Sequence, residues 1–334
     1  MRFAKLTLTT RHFPGLVATG VAVLALSACS SSSLPTLTGF AAVRDQAART
    51  ESAASDRATQ LAEVATDCAS CSAALRAVAA ASDERLEALG GLWDPWGGTP
   101  PEGASAPAAV SEAPTDVSAF VAWLARTATR DLEIAADTNR TSADEARTLA
   151  AAALGRYASA VTIAQAYGID LDAGLDQALL INDRVNAASR QGVQTWSIDL
   201  FDTPAISASF APSGKDLASS QELSSAVATW DCTASTLPPA QVSAGTLTDA
   251  YAVSGELLTR ADTALRAGAA DTRTPRCTLG FLDAPSLASN LLAADSAMLA
   301  SNSSDVRSAG ASAALADIQQ WAPRTSLPAL IGTR

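Results

Sequence analysis

The chain has almost no imidazole: one histidine, His12, in 334 residues. Lysine is nearly as scarce, with Lys5 and Lys215 alone, and aromatic residues make up only 5%. Basic residues are outnumbered, 23 Lys+Arg against 34 Asp+Glu, for a net charge of -11 and a pI near 4.6. An acidic surface repels phosphates, which argues against nucleic acid as a partner. What the chain has instead is a 48% hydrophobic content with 17% charged residues, too apolar for disorder. Most of that apolar content is alanine, which favours closely packed helices over sheets.

The first 28 residues have the plan of a secretory signal. Arg2, Lys5 and Arg11 precede an apolar stretch from about Gly15 to Ala28, and no acid occurs before Asp45. The stretch falls short of the roughly 20 residues a spanning helix needs. It ends in Leu26, Ser27, Ala28, Cys29, which resembles the lipobox of bacterial lipoproteins. The resemblance implies a diacylglycerol on the Cys29 thiol, cleavage before it, and residence on the outer face of the cytoplasmic membrane. Leu26 disfavours the alternative of ordinary secretion, because cleavage after Ala28 by the general signal peptidase wants a small residue there. Each buried methylene of an acyl chain contributes about 0.8 kcal/mol, so two or three chains would hold a soluble body on a bilayer.

Removing residues 1–28 takes away Arg2, Lys5, Arg11 and His12 but no acid, leaving 20 basic residues against 34 acidic ones, a net of -14. A body without histidine lacks Ser-His-Asp and Cys-His nucleophile activation, His-ligated zinc and Glu-x-x-His metal pairs. No cofactor is expected. Lys215 follows no glycine-rich loop and reads as part of a helix entry. Cys68, Cys71, Cys232 and Cys277 remain, an even number in an exported chain, for which disulfides are the default. Cys68-Ala-Ser-Cys71 is also a C-x-x-C, but nothing around it suggests the strand-to-helix entry of a thioredoxin fold. Because Cys68 and Cys71 lie one helical turn apart, Cys232 and Cys277 must be close to each other in all three full pairings. The chain between them must therefore turn back, by a run along 233–241 or by a helix break at Gly255 or Gly268.

Helical periodicity dominates the rest, and the reading is all-α, with seven to nine helices and no convincing strand. A polar tether over 29–38 reaches at most roughly 30 Å. An N-terminal helical unit spans 39–169. It opens with one long or two consecutive helices to Gly90, with Leu75, Val78, Leu86 and Leu89 on one stripe and Ser82 between them. A Pro/Gly-rich loop over 91–115 carries Trp93 and Trp96, which are expected to cap the bundle rather than bind a ligand. Asp116 and the Ser142/Glu145 capping box start two more helices, with Val117, Val121, Leu124, Ala128 and Ala135 on one stripe and Leu154, Tyr157 and Val161 on the other. An irregular connector covers 170–213, helical around 175–188. A C-terminal bundle unit covers 214–324. There a helix near 216–230 precedes a break at Pro238-Pro239, Leu247, Tyr251, Ser254, Leu258, Ala261 and Leu265 form an amphipathic stripe, and Asp283 caps a helix through Leu287, Leu291, Ala294 and Met298. A last helix runs from about 305 to 321. Met298, Tyr251 and Trp123 read as core.

The order of "RLEALGGLWDPW", "YAVSGELLTRADTALRAGAADTRTP", "DAPSLASNLLAADSAMLAS" and "SAGASAALADIQQWAPRTSLPALIG" resembles high-GC Gram-positive lipoproteins carrying a ferritin-like domain of unknown function. That resemblance implies a ferritin-like bundle in the C-terminal part. Such bundles bind paired metals through Glu-x-x-His motifs, from which this chain departs completely. Asp249, Glu256 and Asp262 do not share one face, so an all-carboxylate metal site is not expected either. Two functions follow from these features. One is a lipid-anchored helical binding or structural module whose partners are the membrane, through its lipid, and an envelope protein. The other is a histidine-free hydrolase that cleaves glycans with two carboxylates.

Overall fold

The computed structural model describes residues 37–333 apart from 100, 103, 105–108, 172–209, 211, 245–248, 276 and 278–282. The signal segment, Cys29, most of the tether and nearly all of the 170–213 connector lie outside the described residues. Among the described residues the chain forms eight α-helices, one 3-10 turn and no strand. No helix among them is long and apolar enough to cross a membrane.

Four helices form the first unit: α1 (Gly39–Val64), α2 (Ala69–Ala88), α3 (Val117–Ala136) and α4 (Ala143–Tyr167). The residues up to Gly90 thus form two helices. Local chemistry sets the ends. The Asp116 carboxylate accepts the Ala119 N–H, Ser142 and Glu145 form the reciprocal capping box, and Gly168 closes α4 at φ +66°. Helices α1 and α2 make an antiparallel hairpin, with Gly90 beside Arg44. The following loop starts where the Trp93 N–H donates to Asp45 (2.9 Å) and ends where Arg57 donates to the Ala113 carbonyl (2.9 Å). Its two ends thus meet the N-terminal and C-terminal halves of α1, so α3 begins at the opposite end from where α2 stopped. Helices α2 and α3 are parallel, and α4 returns antiparallel to both.

The second unit repeats this connectivity with α5 (Gln221–Ala244), α6 (Ala250–Arg266), α7 (Ala284–Met298) and α8 (Ser304–Trp321). After the α5–α6 hairpin the chain retraces α5: Thr272 donates to the Ser224 carbonyl, Arg273 pairs with Asp231, and Cys277 is bonded to Cys232. Asp283 caps α7 by accepting the Ser286 N–H.

Two sequence expectations fail here. Helix α5 does not break at Pro238-Pro239 but continues to Ala244. A proline at 238 has no N–H for the Ala234 carbonyl; the Ser254 hydroxyl of α6 donates to that carbonyl instead (2.7 Å). Gly255 is inside α6, and the turn lies at Gly268 with φ +110°. The α6 stripe is also rotated by one position. Ala250, Val253, Ser254, Leu257, Arg260, Ala261 and Ala264 face inward, while Tyr251 is 71% exposed and Leu258 is exposed as well. Val253 and Leu257 of this face enter the second core, and Arg260 beside them pairs with Asp317 of α8. Met298 is buried and Trp123 packs half-buried on the first core.

Helices α7 and α8 serve both cores. Leu292, Leu299, Leu315 and Ile318 belong to the first, and Leu291, Met298, Val306 and Trp321 to the second. Arg307, buried on α8, donates to the Ala135 and Thr141 carbonyls at the α3 terminus. The carboxy-terminal tail then crosses back to the first unit, where the Ile331 N–H donates to the Ala151 carbonyl (3.2 Å). Gly155 permits this crossing, because a Cβ there would collide with the Ala329 carbonyl. Gly155→Ala is accordingly expected to lift the tail off α4. Amide exchange at Ile331 should accelerate by an order of magnitude or more while exchange in the α1–α2 hairpin is unchanged.

Candidate functional site

Each unit carries a layer of buried polar side chains, one from each helix. In the first unit these are Glu51 of α1, Arg85 of α2, Asp131 of α3 and Arg156 of α4, all buried. Arg85 Nε donates to Glu51 Oε2 (2.8 Å), and Arg156 Nε donates to Glu51 Oε1 (2.7 Å). Arg156 Nη1 reaches Asp131 Oδ2 (2.8 Å), and Asp131 Oδ1 accepts from Arg130 Nε (2.8 Å) at the edge of the core. The remaining Arg85 nitrogens donate to Ser82 (2.9 Å) and Ser159 (3.3 Å). Burial acts to lower the pKa of both buried guanidinia. At Arg156 two carboxylates outweigh burial and raise it; at Arg85, with Glu51 as its close carboxylate, burial prevails and lowers it. The acids stand on α1 and α3 and the arginines on α2 and α4, so each of the closely packed pairs α1–α2 and α3–α4 sets an acid beside an arginine.

The second unit's layer is Trp230 of α5, Arg260 of α6, Asp295 of α7 and Asp317 of α8, again buried. Trp230 Nε1 donates to Asp295 Oδ1 (2.9 Å), and Arg260 Nη2 donates to Asp317 Oδ1 (2.6 Å). Arg260 Nη1 lies 3.7 Å from Asp295 Oδ2, and its guanidinium sits 5.4 Å from the centre of the Trp230 ring. Two carboxyls here share one guanidinium. Burial, then the Asp317 charge, raises the Asp295 pKa well above its ordinary value, against the pull of Arg260.

Sequence reading missed these seven charged side chains and Trp230. The sequence does mark some of them, because Arg156, Asp295 and Asp317 are each the lone charge within a long alanine-rich stretch. A solitary charge flanked by buried helix positions has to be paired.

The sequence-predicted residues lie elsewhere. The structure pairs Cys68 with Cys71 and Cys232 with Cys277, with Cα atoms 5.2 and 5.4 Å apart. Trp93 and Trp96 are half-buried in the α2–α3 loop and Lys215 is exposed. Asp249 pairs with Arg324 and Asp262 with Arg266, so neither is joined to Glu256 in a site. Among the described residues no group of three His, Cys, Asp or Glu could hold a metal ion. One surface depression of about 290 Å³, lined by Ala88, Leu89, Arg147, Ala151 and Leu330 among others, has no carboxylate. Another of about 260 Å³ has Glu222 alone. Neither offers the facing carboxylates that glycan cleavage requires.

The fold and its two ionic layers define an all-α protein of paired four-helix units. Compared with known proteins, the chain matches no family model, no curated protein and no solved structure.

Proposed function

We propose that the chain is a lipid-anchored helical module on the outer face of the cytoplasmic membrane, acting as a binding or structural component of the envelope. The observation that carries this reading is the run Leu26-Ser27-Ala28-Cys29 after a basic start and a short apolar stretch. The helical body suits the role. The acids and arginines of its two layers are spent on each other inside the bundles, while most of its acids remain outside and give it a net negative charge that keeps it off an anionic bilayer.

The repeated connectivity of hairpin, long crossover and hairpin supports a ferritin-like reading of both units. In ferritin-like metal proteins the inward residues of the four helices are carboxylates and histidines. Here guanidinia stand at two of the four first-unit positions and already occupy both carboxylates, Glu51 and Asp131. That donor set does not fit a metal pair, so the layer reads as an internal ionic fastening.

Cells fed a labelled fatty acid should yield labelled chain, and Cys29→Ala should abolish the label and release the chain from membranes. Undiminished labelling of that variant would overturn the anchoring. Crosslinking in intact cells should then recover one stoichiometric envelope partner, whereas a clean blank would overturn the interaction role.

A further inference from the structure

We propose that Cys68–Cys71 is an exchange-competent disulfide that accepts two electrons from a pair of thiols on another exported protein. The two cystines are built differently. Cys232–Cys277 joins residues 45 apart, fastening the returning connection to the middle of α5, where the amide N–H groups are committed to the helix. Cys68–Cys71 joins residues 3 apart and restricts the unfolded chain far less, because loop-closure entropy grows with the loop enclosed.

Its placement instead favours chemistry. Cys68 is the N-cap of α2, and its sulfur accepts the Cys71 N–H (3.2 Å). A helix N-terminus with a free amide stabilises a thiolate at that position. Cys68 is partly exposed in a turn whose residues 66, 67, 69 and 70 are all exposed. Val64, 74% exposed, ends α1 close by and offers an apolar contact to an incoming chain. Cys71 is only 3% exposed, and its sulfur lies 3.4 Å from the Ala166 carbonyl oxygen, a neighbour that favours a thiol over a thiolate. The two sulfurs are therefore unequal in access and in the charge state their surroundings favour.

The exchange runs in two steps. A partner thiolate attacks Cys68 Sγ, the Cys68–Cys71 bond breaks, and its electron pair leaves on Cys71 Sγ, which takes a proton and donates it toward Ala166. The partner's second thiolate then attacks its own sulfur in the mixed disulfide. Cys68 leaves as a thiolate held by the Cys71 N–H. The partner has gained a disulfide and lost two electrons and two protons; the chain has gained the electrons, one proton on Cys71, and released the other to water.

The full chain in detergent, equilibrated with graded ratios of oxidised to reduced dithiothreitol and then alkylated, tests this by peptide mass. Cys68 and Cys71 should open at ratios at least ~100-fold more oxidising than those that open Cys232–Cys277. The lone thiol of Cys71→Ser should attack a small aromatic disulfide at least ~10-fold faster than the lone thiol of Cys68→Ser. Opening of both pairs at the same ratio would overturn the proposal, as would a faster Cys71.

Discussion

Glu51→Ala is expected to destabilise the chain by about 3–5 kcal/mol, the range for removing one member of a buried ion network. Glu51 holds Arg85 and Arg156 at once, one on each carboxylate oxygen. Without it Arg156 keeps Asp131, but Arg85 keeps only the Ser82 and Ser159 hydroxyls. A guanidinium whose pKa burial already lowers is then left without its close counter-charge. Domains are stable by about 5–15 kcal/mol, so the loss removes a large part of the margin. The urea midpoint should fall steeply.

Two comparisons isolate the cause. Glu112→Gln removes the partner of Arg57, but Glu112 is 89% exposed, and such pairs contribute about 0–1 kcal/mol. Replacing Glu51, Arg85, Arg156 and Asp131 together with apolar residues of similar volume should restore much of what Glu51→Ala loses, since desolvation consumes most of the pairing energy of a buried network. A Glu51→Ala cost no larger than that of Glu112→Gln would show that water reaches the layer.

Much of the scaffold was legible in the sequence because it is written locally. The caps at Asp116, Ser142/Glu145 and Asp283 and the stop at Gly168 each depend on residues within one turn, and each is found in place. Helix faces were legible where leucine and valine mark one side, as in α3 and α7, and not in α6, where Val253 and Leu257 on one face compete with Tyr251 and Leu258 on the next and the buried face also holds Arg260, whose partner Asp317 is distant in sequence. The Pro238-Pro239 error has the same origin. A proline's local cost was readable, but the hydroxyl that meets the freed carbonyl comes from Ser254 on the next helix. The ionic layers were hidden for a related reason: Glu51 and Arg156 are 105 residues apart, and even where a lone charge such as Arg156 signals burial, nothing local names its partner.

The second layer is expected to make stability depend on pH in the direction opposite to an ordinary ion pair. Asp295 has a folded pKa above its unfolded value of about 3.9, so the folded chain binds a proton that the unfolded chain releases. Its contribution is full below pH ~3.9 and is lost as pH rises through the raised value, by up to ~1.4 kcal/mol per pH unit inside that window. Asparagine has the same shape, carries no charge and can donate toward Asp317, so Asp295→Asn should remove the dependence. Urea unfolding over a pH series starting near 4 should show wild type losing ground against Asp295→Asn as the pH rises. Asp317→Asn leaves Asp295 facing Arg260 with no neighbouring negative charge, and it should move the window to lower pH. A difference profile flat in pH would mean that the Asp295 pKa is not raised by folding. The first layer provides the internal contrast: there two carboxylates meet three guanidinia, so Asp131→Asn removes a paired charge where Asp295→Asn removes a crowded one, and Asp131→Asn should lower stability.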